Sequence, residues 1–361
     1  MKVAIIGSRG IPAVYGGFET FAEELSVRLS NSGIDVTVVC EHAPEGPEQF
    51  REVSLLYSKY TKWKNPLLYY LDAARIASAF ADAVIVCGVG GAIFYPMLSN
   101  RKYQLITHVD GREELRGKYS SLKKLYVRIA QAFAVKFSDH LVADSSAVMH
   151  HWKERFGIDD SAISVIEFGA DTVSSADDSV FRKLGLSPHD YYLVVCRMVP
   201  ENNLETIING FLKSGSVKKL VLAGDLSGAY GAKLKSFESG QLIFTGGIYN
   251  RPALFFLRKY CRAYIHGHSV GGTNPSLLEA MAAGNICICH DNEFNLETTA
   301  GKMLYFKSED DLMLRVKEVE QMDANEINGY AGAGMERIAN YYNWDRITGS
   351  YLNLLKTGKR K

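Results

Sequence analysis

The run Gly271-Gly272-Thr273-Asn274-Pro275-Ser276-Leu277-Leu278-Glu279 has residue types and spacing that suit phosphate chemistry. Two glycines let a backbone come close to a ligand. Asn274 is a good helix N-cap, and Pro275 suits the first helical position. A helix begun this way turns free N–H groups and the positive end of its dipole outward, which is a grip for an anion. Glu279 lies one turn further in, on the face of Pro275. A carboxylate there repels phosphate but accepts hydrogen bonds from hydroxyls, such as those of a ribose. Gly284 ends the helix. An ordinary capped helix with a surface glutamate would explain the caps, but not the paired glycines ahead of them or the small residues Ala280, Ala282 and Ala283 behind.

A second anchor is Arg197, in Cys196-Arg197-Met198-Val199-Pro200-Glu201-Asn202-Asn203 at the end of an apolar run. A guanidinium at a strand's carboxyl end can pair bidentately with phosphate. Gly224, and the stretch Gly246-Gly247-Ile248-Tyr249, also follow strand-like runs and leave room for a ligand. In the first half, Gly7 to Gly17 joins a strand to a helix. It is not G-x-G-x-x-G, Pro12 interrupts it, and it is too long for a tight dinucleotide turn. Glu41 nevertheless mimics the ribose-binding acid of dehydrogenases, which keeps an NAD-dependent oxidoreductase as a rival reading. His108 and Asp110, after another strand, are groups that could bond a sugar hydroxyl or take its proton. No D-x-D pair occurs, and His150 and His151 are adjacent, so they point apart on a helix. The expectation is a site without metal, in which Arg197 and helix amides neutralise charge.

These residues need a scaffold that brings loop after loop to one edge. Strand-like runs at Lys2–Gly7, Asp35–Cys40, Ala83–Cys87, Tyr103–Thr107, His140–Ala143 and Ile163–Ile166 alternate with helical stretches at Phe18–Leu29, Pro66–Phe80 and Leu122–Phe137. The alternation predicts βαβ units and a parallel sheet. A polar segment, Glu167–Asp190, breaks the pattern and reads as a connection. It then restarts with Tyr191–Cys196, Lys219–Ala223, Leu242–Thr245, Ala263–His266 and Asn285–Cys289. The predicted fold class is α/β, with two doubly wound Rossmann-like domains facing a central cleft. The expected domains are 1–170, 171–342 and a final helical segment, 343–361, that returns to the first. Ligands in such folds bind at the carboxyl ends of strands.

With 361 residues, 47% of them hydrophobic, the chain has enough apolar material for two full cores. A formal net charge of +1 gives no global pull toward nucleic acid. The six cysteines form no C-x-x-C pair and read as reduced, buried thiols. The first residues are too short for a signal peptide, and no apolar run approaches a membrane span. A cytoplasmic protein is expected, at the inner face of the plasma membrane if its surface binds lipid. The stretch that would do so carries Arg112, Arg116, Lys118, Lys123, Lys124, Arg128 and Lys136 among Leu115, Leu122, Leu125, Tyr126 and Ile129. Lys59, Lys62, Trp63 and Lys64 repeat the flavour, as does the tail with Lys356, Lys359, Arg360 and Lys361. A solvated face is the plain reading; a patch for anionic lipid is the sharper one.

The helix start, Glu279 and the Ala282-Ala283-Gly284 ending resemble the retaining glycosyltransferases of family 4, which have the GT-B fold. Those usually carry two glutamates eight positions apart. Glu279 matches the second, and Gly271 stands where the first would be. Arg197 matches the family's arginine, and Asn202 stands where it has a lysine. Ser269 to Ser276 and Pro200 to Asn203 are similar to a subset often described as rhamnosyltransferases, through which Asp110-Gly111 also matches. The resemblance implies transfer of a hexose or deoxyhexose, rhamnose from dTDP-rhamnose for this subset, to a glycan or lipid-linked acceptor in bacterial cell-surface polysaccharide synthesis. It implies a dTDP-, UDP- or GDP-linked donor and no cofactor. It further implies donor contacts from Gly16, Gly17, Arg197, Asn202, Gly224, Ile248, Tyr249, Gly272, Thr273, Asn274, Pro275, Ser276 and Glu279, with His108, Asp110 and Arg197 nearest the chemistry. A nucleotide-sugar epimerase of the same fold and a non-catalytic sugar- or partner-binding module are the remaining alternatives.

Overall fold

The computed structural model describes residues 1–14, 16–98, 102–109, 111, 120–172, 177–237 and 239–357. It divides into two compact units, one of Met1–Phe168 joined by the helix that starts at Trp344, the other of Gly169–Asn343.

The first unit is built on an eight-stranded sheet. Its strands are β1 (Lys2–Ile6), β2 (Asp35–Cys40), β3 (Gln49–Phe50), β4 (Val53–Tyr57), β5 (Ala83–Cys87), β6 (Gln104–His108), β7 (His140–Ala143) and β8 (Ile163–Val165). Their order is β3-β4-β2-β1-β5-β6-β7-β8, and only the β3–β4 pair is antiparallel. The helices between strands are α1 (Gly17–Asn31), α2 (Pro66–Ser78), α3 (Ser121–Phe137) and α4 (Ser146–Phe156). All five residues of β5 and of β6 are buried, as strands covered on both faces must be.

In the second unit all six strands are parallel, in the order β11-β10-β9-β12-β13-β14. They are β9 (Tyr191–Val195), β10 (Lys219–Ala223), β11 (Leu242–Gly246), β12 (Ala263–His266), β13 (Cys287–His290) and β14 (Leu304–Phe306). Its helices are α5 (Ser179–Lys183), α6 (Leu204–Lys213), α7 (Ala229–Lys235), α8 (Arg251–Lys259), α9 (Pro275–Ala282), α10 (Glu293–Thr299), α11 (Glu309–Gln321) and α12 (Ala324–Tyr341). Helix α6 shows how the core forms. Leu204, Ile207, Ile208 and Phe211 recur at helical spacing and are buried with Leu312, Val316 and Val319 of α11. Truncating Phe211 to alanine would cost about 3–5 kcal/mol.

The last helix, α13 (Trp344–Thr357), joins the first unit by setting Trp344 and Tyr351 against Phe21 of α1, with ring centroids 6.4 and 5.7 Å away. Four details depart from the sequence reading. The short strands β3, β4 and β14 are additions, and the connecting segment 167–190 contains α5, started by Asp177 accepting from the Ser179 N–H at 3.0 Å. In β4 the exposed Leu56 spoils the apolar–polar alternation that would have revealed it.

Each sheet reverses its order at one point, between β1 and β5 in the first unit and between β9 and β12 in the second. In open α/β sheets ligands collect beyond the carboxyl ends of the strands at such points. The loops after β1, β9 and β12, which carry Gly16, Arg197 and residues 272–276, start there.

Candidate functional site

In the second unit the loops after β9 and β12 carry most of the candidate residues. Asn274 caps α9, its Oδ1 accepting from the Ser276 N–H at 2.9 Å, with Pro275 in the first turn. Ser276 ties that turn to the sheet: its hydroxyl lies 2.9 Å from the Val195 carbonyl at the end of β9 and 2.8 Å from the Tyr264 hydroxyl. The helix start is therefore fixed two residues from Arg197. The Arg197 side chain is exposed, and no described residue forms an ion pair with it. A cation and a helix N-terminus thus stand side by side, which is a sound arrangement for a diphosphate.

Glu279 is anchored by a residue that sequence reading missed. Arg258 of α8 places Nη2 2.6 Å from Glu279 Oε2 and 3.1 Å from Ser276 Oγ. The arginine is only 4% exposed, whereas the glutamate is 32% exposed. One carboxylate oxygen is held by a buried guanidinium while the side chain stays partly open to solvent. The available signal was a cation among the apolar-face positions of α8, next to buried Leu257 and three residues after buried Phe255.

Asn202 joins the two loops. It is buried, and its amide is used within the protein: Nδ2 donates to the Arg197 carbonyl at 2.7 Å, and Oδ1 lies 3.1 Å from His268 Nδ1. The two loops are fastened further by Asn203 Nδ2 to the Gly267 carbonyl (2.8 Å) and by the Ser269 N–H and hydroxyl to the Glu201 carbonyl (3.0 and 2.8 Å). Both carboxylate oxygens of Glu201 are buried without a hydrogen-bond partner. Gly224 has a packing reason of its own: a Cβ there would lie 2.1 Å from the Cys196 carbonyl oxygen. Gly272 and Thr273 are buried beside the capped turn, while Tyr249 is exposed on the loop with Ile248 after β11. Beneath the site, His266 is buried, and desolvation holds its pKa well below the usual histidine range, with the charges of His268 and His290 adding to the effect.

The loop after β1 in the first unit is organised differently. Its backbone is fastened onto α1, with the Arg9 N–H donating to Glu19 Oε1 (2.9 Å) and the Ala13 N–H to Glu23 Oε2 (2.6 Å). Lys62 Nζ donates to the Gly7 carbonyl at 2.5 Å. Gly16 precedes α1 at φ 115°, a conformation that suits glycine, and Gly17 opens the helix. Glu41 accepts from the Lys62 N–H at 2.9 Å, so the acid that mimicked a dinucleotide site is engaged by the protein. His108 is 1% exposed and lies among Phe21, Phe168 and Phe18, with ring centroids 5.1, 5.2 and 5.4 Å away. Asp110 lies outside the described residues, as do Tyr15, Arg112, Leu115, Arg116, Lys118, Lys359, Arg360 and Lys361. Among the described residues no group of three or more His, Cys, Asp or Glu side chains is arranged to hold a metal.

Residues 15–174 match the family model Glycosyltransferase Family 4. The matched segment is the larger part of the first unit. No curated protein sequence matches the chain. Among solved structures, a sucrose-phosphate synthase of Thermosynechococcus elongatus is 15% identical, with 99% of this chain and 98% of that one covered at a TM-score of 0.80. Anabaena HepE, in complex with UDP-glucose, is 15% identical over 99% and 100% of the two chains, TM-score 0.77. A glycosyltransferase of Rickettsia africae is 15% identical over 99% and 98%, TM-score 0.76. At such identities the likeness establishes the fold, which is GT-B with two Rossmann-like domains.

Proposed function

We propose that this chain is a glycosyltransferase that takes a nucleotide diphosphate sugar as donor and passes the sugar to a glycan or lipid-linked acceptor of the cell surface. The observation carrying this reading is the trio in the second unit: an exposed guanidinium at Arg197, the capped start of α9, and Glu279 clamped by buried Arg258. A diphosphate takes the first two, and ribose hydroxyls take the third. The family match over residues 15–174 and the UDP-glucose complex of HepE support a nucleotide-sugar donor. The proposed donor sugar is a hexose or deoxyhexose, and dTDP-rhamnose is the choice that the Ser269–Ser276 and Pro200–Asn203 resemblance favours. In the proposed mechanism Arg197 and helix amides take up charge as the nucleotide departs, without a metal. The acceptor hydroxyl then attacks from the leaving-group side, so that anomeric configuration is retained. Incubation with dTDP-, UDP- and GDP-linked sugars and lipid-linked glycan, read by product NMR and repeated with a chelator, tests it. Transfer with retention that survives chelation is expected. Interconversion of free donor without transfer would instead make the chain an epimerase.

We further propose that the enzyme works at the inner membrane face, held there by α3. No helix among the described residues is long and apolar enough to cross a membrane. Helix α3 has two apolar faces instead. Val127, Ala130 and Ala134 are buried, while Leu122 (81% exposed), Leu125 and Ile129 recur three and four residues apart on the opposite side. The helix carries Lys123, Lys124, Arg128 and Lys136 and no acidic residue. An apolar stripe among cations fits an anionic bilayer. Flotation with phosphatidylglycerol vesicles should carry the protein up, and phosphatidylcholine vesicles should not; Leu125→Asp should abolish flotation. Equal flotation of the variant would end the assignment.

A further inference from the structure

We infer that the first unit meets an anionic bilayer with the carboxyl edge of its sheet, Trp63 leading, so that the membrane contact extends from α3 into a rim around the loop after β1. This rests on the membrane reading above and deepens it.

Exposed apolar side chains of this unit gather on one edge. Val14 (69% exposed) lies in the loop after β1, Trp63 (79%) in the segment after β4, and Met97 (63%) in the turn Ala92–Leu98 after β5. Leu67 and Leu68 stand in the first turn of α2, which follows β4, and Leu122 in the first turn of α3, which follows β6. A segment that leaves a parallel strand starts at the strand's carboxyl end, so all six share that edge. Strands β1, β5 and β6 are neighbours in the sheet, and only β2 separates β4 from β1.

Packing beneath the rim ties its parts together. The loop after β5 touches both helices: the Tyr126 hydroxyl of α3 donates to the Gly90 carbonyl, and a Cβ at Gly90 or Gly91 would lie 2.6 or 2.9 Å from Tyr70 of α2. Leu67 is one turn before Tyr70, and Leu122 one turn before Tyr126, so leucines of both helices border that loop.

Charge selects the partner. The stretch from Lys59 to Tyr70 holds Lys59, Lys62 and Lys64 and no acid, and α3 holds no acid either. Lys59 and Lys64 are exposed. The loop after β2, with Glu45 and Glu48, doubles back along β4: the Pro47 carbonyl accepts from the Tyr57 hydroxyl and the Glu48 carbonyl from the Leu55 N–H, both at 2.8 Å. A tryptophan among lysines and leucines is the combination that settles at the headgroup level of an anionic bilayer. A lipid-linked acceptor then offers its sugar at the loop after β1 while its chain stays in the bilayer.

The other two tryptophans, Trp152 and Trp344, are 1% and 3% exposed, so quenching from the bilayer reads Trp63. Phosphatidylglycerol vesicles brominated on their acyl chains should quench the emission of the full chain, and brominated phosphatidylcholine vesicles should not. Trp63→Phe should abolish the quenching. Leu67→Asp/Leu68→Asp should lower vesicle binding roughly tenfold, and leave turnover of a short-chain, water-soluble acceptor unchanged. Unchanged vesicle binding by this double variant would overturn the inference. Flotation on phosphatidylglycerol without quenching would overturn it too, and would leave α3 as the contact; no flotation at all would end both readings. Trp63 emission that shifts with protein concentration, vesicles absent, would give the rim to a second copy of the chain and overturn the bilayer contact.

Discussion

The two switch points of this molecule are built from the same strand–loop–helix units, yet they use their polar side chains in opposite ways. After β1, the acids Glu19, Glu23 and Glu41 turn back onto backbone N–H groups, and His108 is enclosed by aromatic rings. After β9 and β12, side-chain bonds also fasten loop to loop, but Arg197 is exposed and Glu279 stays partly exposed. On the proposed function the first loop serves as a shaped wall and the second as a charged grip. A site that must meet a diphosphate needs unspent cations and amides, whereas one that must meet neutral hydroxyls needs contour first. The comparison can be broken by variants that treat the two loops alike.

The largest effect is expected at Arg197. Arg197→Ala should lower transfer by about two to three orders of magnitude, the size seen when a preorganised charge stabiliser is removed. Because the side chain is exposed and unpaired, the unfolding midpoint should stay where it was. Single-turnover transfer and a thermal melt on the same sample check both halves. Unchanged turnover would remove Arg197 from the grip.

Next comes Glu279→Ala, which leaves the buried Arg258 guanidinium without its carboxylate. Breaking such a pair from one side costs about 3–5 kcal/mol when both partners are buried, and the exposure of Glu279 brings this down to about 2 kcal/mol. A lower urea midpoint with an unchanged slope is the expected signature. The double variant Arg258→Met/Glu279→Leu should regain most of the stability without regaining donor affinity. Failure to regain it would mean that the pair does more for the fold than hold one carboxylate.

Acid should also act on the second unit. Burial keeps the folded-state pKa of His266 well below its unfolded value near 6.5, and that of His290 lower as well. The neutral rings therefore contribute stability that is fully present above about pH 6.5 and is lost as pH falls below it toward the folded pKa. One such group gives a slope of about 1.4 kcal/mol per pH unit in that window. Urea midpoints between pH 7 and pH 5 should fall less steeply for His266→Asn, and an unchanged slope would place the acid sensitivity elsewhere.

How far the sequence led differs between the same two regions. Asn274, Pro275 and Arg197 announce themselves because capping and strand-end positions are local, set within three or four residues. The Arg258–Glu279 clamp joins residues far apart in the chain, and Asn202 meets His268 across a sequence separation of 66. The first pair appears only once α8 packs on α9 and the second only once β9 and β12 lie side by side, and nothing in the residue types says which amide faces which ring. In the first unit the alternation of strands and helices located the loop after β1. That its acids would fold inward depended on Gly10, packed close against Cys40, and on Lys62 reaching back to Gly7.

The smallest expected effect separates the two loops most sharply. His108→Phe places a phenyl ring where Phe18, Phe21 and Phe168 already surround an imidazole. An apolar replacement of similar shape should change stability by less than about 1.5 kcal/mol. If the first loop is a wall, transfer should fall much less than in Arg197→Ala, and its dependence on pH should keep its form. If His108 takes the acceptor's proton, transfer should collapse and the limb of the pH profile belonging to the base should vanish. A collapse with the melt intact would show that a histidine enclosed by three rings is reached during turnover. The contrast between wall and grip would then hold only for the molecule without its substrates.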